Sequence, residues 1–304
     1  MSRSPATAKT YVVTGGSDGI GLECASLLAK AEPGCRVVIV GRDPRRTAGA
    51  ADRLRAESPD VTVDSLLCDF ADLAAVRRLA ADLLQTCDRI DVLLDNAGTV
   101  FSRRTLTADG VEATFAVNHL AGFLLTELLL DRIRQSTPAR IVFTSSDAHY
   151  SGRLDLDDLG FDHRYTTMRA YARSKLANVL TARLLARRTA GTGVSVNALH
   201  PGAIATHIWS GAPWFARPVL AVMKRRMESP QVGGARLSYL AASPEVEGRS
   251  GGYYRRNRLR EPSELARDDG LGERLYAVSA RLVGLADVSD GSGSPGSSPS
   301  PTGS

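Results

Sequence analysis

The sequence predicts a single-domain α/β fold over residues 10–286, a doubly wound parallel sheet in three layers, α/β/α. Three observations carry that prediction. Short β-branched runs alternate with longer amphipathic stretches along nearly the whole chain, the pattern of successive βαβ units. The runs are largely apolar, which suits strands buried on both faces. A glycine-rich turn, Thr14-Gly-Gly-Ser-Asp-Gly-Ile-Gly21, separates the first run from the first helical stretch.

Taken in order, Tyr11-Val-Val-Thr14 reads as a strand and Gly21 to Lys30 as the helix it feeds. Arg36-Val-Val-Ile-Val40 is the second strand and Val61 to Asp69 the third. Ile90-Asp-Val-Leu-Leu94 is the fourth, followed by a long helix from about Val111 to Gln135. Arg140-Ile-Val-Phe-Thr144 is the fifth strand, and a helix spans about Arg169 to Thr189. Val194-Ser-Val-Asn-Ala-Leu199 is the sixth strand. Residues 207–230 break the alternation and hold both tryptophans, Trp209 and Trp214, near Val219-Leu-Ala-Val-Met223. Three readings fit this segment: a packed excursion, an apolar lid over a lipophilic substrate, or a membrane-surface helix flanked by Lys224-Arg-Arg226. Residues 1–9 are a short polar segment with the marks of neither a signal peptide nor an anchor. Residues 287–304 are a Gly/Ser/Pro tail that cannot build a core and is expected to be disordered.

Composition narrows the function classes. No apolar run approaches the roughly 18–20 residues that span a bilayer, so the expectation is a cytoplasmic protein with no transmembrane segment. Cys24, Cys35, Cys68 and Cys87 show no CxxC spacing and no neighbouring histidine, so they read as inert thiols. His119, His149, His163, His200 and His207 form no metal-like set and read as structural or substrate-facing; no metal is expected. The net charge is +5, but the basic residues are scattered rather than striped, which argues against nucleic acid as a partner.

The glycine turn has the context of a Rossmann-type dinucleotide site. Gly15 permits the tight turn, Gly19 and Gly21 let backbone and helix approach a pyrophosphate, and the helix N-terminus offers free N–H groups. The second strand ends Val40-Gly41-Arg42-Asp43. A carboxylate at position 41 would bind a ribose 2′-OH and repel a 2′-phosphate; Gly41 removes it, and Arg42 can grip the phosphate bidentately. This favours NADP(H) over NAD(H), although Asp43 blunts the charge of Arg42 and Asp18 in the turn is not basic.

Tyr171 and Lys175 stand four residues apart in Tyr171-Ala-Arg-Ser-Lys175, on one face of a helix. A neighbouring ammonium favours ionisation of a phenol whose ordinary pKa is about 10. Lys9, Lys30, Lys175 and Lys224 are the only lysines in an arginine-rich chain, so a lysine here is a chemical choice. A dinucleotide site with a tuned phenol points to hydride transfer coupled to proton transfer.

With these residues in hand, the sequence resembles the short-chain dehydrogenase/reductase family from about Thr10 to Leu285. The resemblance rests on Thr14–Gly21, on Asp95-Asn-Ala-Gly98 in place of the family's N-N-A-G, and on Asn118 in Val117-Asn-His-Leu120. Thr144-Ser-Ser146, the Tyr171–Lys175 pair and Pro201-Gly202 complete it. Tyr171-Ala-Arg-Ser-Lys-Leu-Ala-Asn178, Asn197-Ala-Leu-His-Pro-Gly202 and Gly251-Gly-Tyr-Tyr254 are similar to the retinol-dehydrogenase and protochlorophyllide-reductase branch. The polar N-terminus lacks the membrane helix of animal retinol dehydrogenases, which counts against a retinoid role.

The resemblance implies roles. Tyr171 is the general acid in reduction and the base in oxidation; Lys175 lowers its pKa and holds the nicotinamide ribose. Ser146 binds the substrate oxygen, with Ser145 as its rival because adjacent strand residues face opposite ways. Asn118 holds a water linking Lys175 to solvent. Ser17, Asp18 and Ile20 line the phosphate turn, Asp69 and Phe70 the adenine, and Asn96, Ala97 and Gly98 the adenosine side. Pro201, Gly202, Ile204 and Thr206 hold the carboxamide. A homodimer or homotetramer is implied, with a monomer still open. The expected activity is NADPH-dependent reduction of a ketone or aldehyde on a lipophilic small molecule. The alternatives are reduction of a conjugated C=C bond and a non-catalytic NADP(H)-binding sensor.

Overall fold

The computed structural model describes residues 8–204 and 227–285. β1 (Thr10–Thr14) leads through the glycine turn into α1 (Gly19–Ala31), which Asp18 caps. β2 (Arg36–Gly41) and α2 (Pro44–Glu57) follow, with Asp43 as N-cap and Pro44 at the first helical position, where its missing N–H costs nothing. Then come β3 (Thr62–Leu67), α3 (Leu73–Thr86) and β4 (Val92–Asp95). A long helix, α4 (Ala113–Gln135), contains a π-helical stretch at Ala116–Leu120. β5 (Ala139–Thr144), α5 (Thr167–Arg188) and β6 (Val194–His200) complete the portion read from sequence. Beyond residue 226 lie α6 (Pro230–Ala242), the hairpin β7 (Tyr253–Arg255) and β8 (Arg258–Arg260), α7 (Glu264–Arg267) and α8 (Asp269–Leu282).

The strands form one sheet in the order β3-β2-β1-β4-β5-β6-β7-β8. All neighbouring pairs are parallel except β7 with β8. The chain moves outward in one direction through β2 and β3, then restarts on the other side of β1 with β4. Between β1 and β4, at their C-terminal ends, is the switch point where such sheets open a crevice.

Alternation along the central strands divides the core. Val12 joins Phe115, Leu129, Leu176 and Tyr253 on the face covered by α3, α4, α5 and α8. Tyr11 and Val13 join Leu28, Ile39, Leu54 and Leu237 under α1, α2 and α6.

Several expectations need correction. The third strand ends at Leu67, short of Asp69, and the fourth begins at Val92, two residues later than read. The hairpin β7–β8 escaped the sequence reading because its strands have three residues each and β8 is an exposed, arginine-rich edge. By length and composition α4 could cross a membrane, contrary to the expectation; yet 83% of its apolar window is buried within the protein, making it a core helix. The proposed lid falls largely outside the described residues, as do Thr206, Trp209 and Trp214, most of the N-terminal segment and the Gly/Ser/Pro tail.

Candidate active site

A cleft of about 660 Å³ opens over the C-terminal ends of the central strands. Its nucleotide end is built from backbone. Gly15 and Gly19 adopt φ of 65° and 55°, in the left-handed region that favours glycine. A Cβ on Gly21 would stand 2.3 Å from the Gly15 carbonyl oxygen, so only glycine lets α1 pack this close to the turn. Asp18 Oδ1 accepts the Gly19 N–H at 2.7 Å, which starts the helix. Gly41 is crowded by side chains rather than backbone: a Cβ there would meet Thr47 Oγ1 at 2.3 Å and Ser17 Oγ at 2.7 Å. A side chain at this position would have to displace Thr47 and Ser17.

Ser17, Ile20, Arg42, Asp69 and Phe70 line this end, and so does Arg46, which the sequence reading did not single out. Its signal was the spacing: Arg46 follows Arg42 by four residues across the Asp43 cap, whose Oδ1 accepts the Arg46 N–H at 2.9 Å. Asp69 also turns onto its own chain, accepting the Ala71 N–H at 3.0 Å. Asn96 works mainly as a staple, its Nδ2 donating to the Thr14 carbonyl at 3.1 Å. The Thr14 hydroxyl in turn accepts the N–H groups of Asn96 and Ala97, each at 2.9 Å. Together they hold the ends of β1 and β4 in register.

The other end of the cleft brings Ser146, Tyr171 and Lys175 together. Ser145 and Ser146 diverge at the end of β5: the Ser145 hydroxyl is buried and donates to the Lys175 carbonyl at 2.7 Å. Ser146 faces the cleft, and its side chain is hydrogen-bonded to the Tyr171 phenol. Thus Ser145 positions the helix and Ser146 meets the cleft.

Burial raises the Tyr171 phenol above its usual pKa, with the Ser146 bond pulling the other way. Burial, rather than the lowering expected from Lys175, sets the direction. The Lys175 ammonium lies 5.6 Å from the phenol ring centre and donates to the Thr144 carbonyl at 2.9 Å. Burial brings its own pKa down to about 8, while Asp95 favours its charged form. Asp95 is itself buried against the helix: a Cβ on Gly122 would fall 1.9 Å from its Oδ2, an oxygen with no hydrogen-bond partner among the described residues. Burial raises the Asp95 carboxyl to about 7, against the opposing pull of Lys175.

Asn118 sits in the π-helical stretch, an irregularity that recurs at functional sites. Its side chain accepts the Thr99 N–H at 2.7 Å and donates to the Thr99 carbonyl at 3.0 Å and the Ser174 hydroxyl at 3.1 Å. Its own carbonyl accepts from Asn178 Nδ2 at 2.9 Å. Asn118 therefore ties α4 to α5 and to the turn after Gly98. Asn178 was not singled out as a site residue, although it stands in the segment that carries the branch resemblance.

Gly98, Pro201, Gly202 and Ile204 line the cleft together with His200. Arg236 holds the Pro201 backbone from below, donating to its carbonyl at 2.7 Å while pairing with Glu228. No sequence signal linked Arg236 to Pro201, because the contact joins α6 to the end of β6. Among the described residues no cluster of three histidine, cysteine or acidic side chains could hold a metal ion.

The residues present fit a dinucleotide: Gly15 and Gly19 hold the turn at positive φ, a Cβ on Gly21 would collide with the Gly15 carbonyl, and Arg42 and Arg46 stand beyond this cradle. Comparison with known proteins agrees. A family profile described as short chain dehydrogenase matches residues 9–213. The chain is 38% identical over 290 residues to human retinol dehydrogenase 13, covering 93% of this chain and 87% of that protein. It is 42% identical over 279 residues to a Streptomyces sp. (strain C5) protein named as a candidate daunorubicin C-13 ketoreductase, DnrU, covering 91% and 93%. A crystal structure of an uncharacterised Mycobacterium paratuberculosis protein superposes with a TM-score of 0.74 at 31% identity, covering 92% of this chain and 95% of that one. A Shigella flexneri short-chain dehydrogenase determined with NADP shares the fold, with a TM-score of 0.65 at 22% identity, covering 82% and 97%.

The chain belongs to the short-chain dehydrogenase/reductase family, oxidoreductases that use a nicotinamide cofactor on hydroxyl and carbonyl groups. Within it, the chain falls in the retinol-dehydrogenase-like branch.

Proposed function

We propose that this protein is an NADPH-dependent reductase of a ketone or aldehyde carried on a lipophilic small molecule. The observation that carries the reading is the hydrogen-bonded Ser146–Tyr171 pair, facing the same cleft whose far end presents Arg42 and Arg46. Two guanidiniums with no carboxylate at position 41 favour a 2′-phosphate. Phe101, Val117, Met168, Ile204 and Met227 line the cleft and favour an apolar substrate body.

When bound, NADPH supplies the hydride. The protein's share is the oxygen and its proton. The hydroxyls of Ser146 and Tyr171 hold the carbonyl oxygen and stabilise charge developing on it. A phenol kept protonated by burial is a proton donor at neutral pH, so Tyr171 suits the reductive direction. Lys175, buried and held by the Thr144 carbonyl, places positive charge beside the phenol as it ionises. Asn118, held by Thr99, Ser174 and Asn178, is placed to hold a water that would return protons from solvent to Lys175.

The test is a comparison of kcat/KM with NADPH and NADH across lipophilic ketones and aldehydes, in the native protein and in Arg42→Ala. The proposal predicts carbonyl reduction with a preference for NADPH that falls roughly tenfold or more in the variant. A preference for NADH, or an unchanged ratio in Arg42→Ala, would contradict the cofactor assignment.

A further inference from the structure

Beside the substrate end of the cleft, the β7–β8 hairpin breaks two local rules at once. Tyr253-Tyr-Arg-Arg-Asn-Arg-Leu-Arg260 pairs Arg255 directly with Arg258, and like charges facing across strands destabilise a hairpin. Its turn places Arg256 and Asn257 at φ of 52° and 59°. Asparagine tolerates this conformation, whereas arginine is strained in it. Charged residues on an exposed edge strand ordinarily guard against aggregation, which accounts for Arg258 and Arg260 but not for Arg256 in the turn. A chain that sets local preference aside in this way commonly does so for function.

The nearby carboxylates relieve the charge only at Arg255. Asp147 is engaged by Arg255 Nε at 3.0 Å and by the Tyr253 hydroxyl at 2.9 Å. Glu228 is paired with Arg236, and Glu261 with Arg267. Arg256, Arg258 and Arg260 have no ion-pair partner among the described residues, although Glu228 attracts Arg256 from a distance. With Arg255 they line a second cavity of about 430 Å³. That cavity adjoins the active site: Arg255 lies in register beside His200, which lines the cleft, and Arg255 bonds to Asp147, the neighbour of Ser146.

We propose that this hairpin binds a phosphate-type oxyanion borne by the substrate whose carbonyl meets Ser146 and Tyr171, so that the substrate has an apolar body and an anionic end. Guanidiniums grip such oxyanions bidentately, and a bound anion would offset the repulsion within the hairpin. The assignment rests on the carbonyl-reductase reading for the identity of the ligand, but not for the existence of the site.

The first experiment is calorimetric titration of inorganic pyrophosphate into protein saturated with NADPH, so that the nucleotide's own phosphate positions are filled. Binding is expected, weakened roughly tenfold or more in Arg256→Asn/Arg258→Gln. Arg256→Asn alone should raise Tm by about 2 °C, because it relieves the strained turn. Loss of binding together with a gain in stability is a result that a merely structural arginine could not produce. No pyrophosphate binding, or binding indifferent to both substitutions, overturns the site. The second arm compares a ketone with its phosphorylated counterpart. A kcat/KM preference for the phosphorylated member that shrinks in the double variant supports the substrate as the source. Pyrophosphate binding without that preference overturns the substrate as the source. Failure of carbonyl reduction altogether would count against the reductase reading, and the calorimetry would stand apart from it.

Discussion

The turn between β1 and α1 and the turn between β7 and β8 both put backbone at positive φ, and they solve the problem in opposite ways. The first uses Gly15 and Gly19, and Gly21 then leaves space where any Cβ would collide. The second uses Arg256, whose side chain pays for its position in strain. A site that recognises its ligand through main-chain N–H groups needs side chains removed, and local geometry and function then agree. A site that recognises through guanidiniums needs side chains present, and geometry and function then conflict. The same contrast separates the two ends of the cleft.

Breaking the side-chain end should have the largest effect. Tyr171→Phe keeps the ring and removes the proton donor, so kcat/KM for carbonyl reduction should fall by about 10²–10⁴ while NADPH affinity, read by fluorescence titration, stays within a few-fold. A comparable loss of affinity would mean that the phenol acts in binding rather than in proton transfer.

Breaking the backbone end should act on fold and cofactor together. Gly21→Ala forces a methyl toward the Gly15 carbonyl, and overpacking of this kind costs about 1–3 kcal/mol. Both Tm and NADPH affinity should drop. Wild-type values for both would show that the turn has slack the structure does not show.

A smaller effect sharpens the role of the buried charges behind the cleft. The Asp95 carboxyl titrates near 7 in the folded protein, above its ordinary value, so the unfolded chain releases this proton first. Its contribution to stability is therefore present below pH ~4 and lost as pH rises to about 7. Lys175, lowered to about 8, has the opposite profile: its contribution is present above its ordinary value of about 10.5 and lost as pH falls through 8. Asp95→Asn should abolish the acidic limb of this profile in urea unfolding followed from pH 4 to 7, raising stability more at pH 7 than at pH 4. Equal effects at both pH values would show that Asp95 does not titrate in that range.

What sequence could show follows the same division. Gly15, Gly19 and Gly21 were legible because each is a local requirement, whereas Gly41 was read only for its lack of a carboxylate and its contact with Ser17 was not. Ser146, Tyr171 and Lys175 were legible by resemblance, and the structure separates Ser146 from Ser145 by pointing the latter at the Lys175 carbonyl. Their electrostatics were not legible: helical spacing predicts that Lys175 acidifies Tyr171, yet burial acts on both groups and raises the phenol. Burial belongs to the packed core rather than to the motif. The Arg236–Pro201 contact and the adjacency of Arg255 and His200 join distant parts of the chain, and nothing near either residue announces them. The hairpin strands were too short and too charged to register as strands.

Hydride tracing tests the central claim most directly. NADPH carrying deuterium at its transferable C4 position would be mixed with lipophilic aldehydes, ketones and enones, in the native protein and in Tyr171→Phe. Deuterium on a carbonyl carbon, abolished or slowed at least a hundredfold in Tyr171→Phe, is the predicted result. Deuterium on an alkene carbon instead, or carbonyl labelling that proceeds undiminished without the phenol, would contradict it.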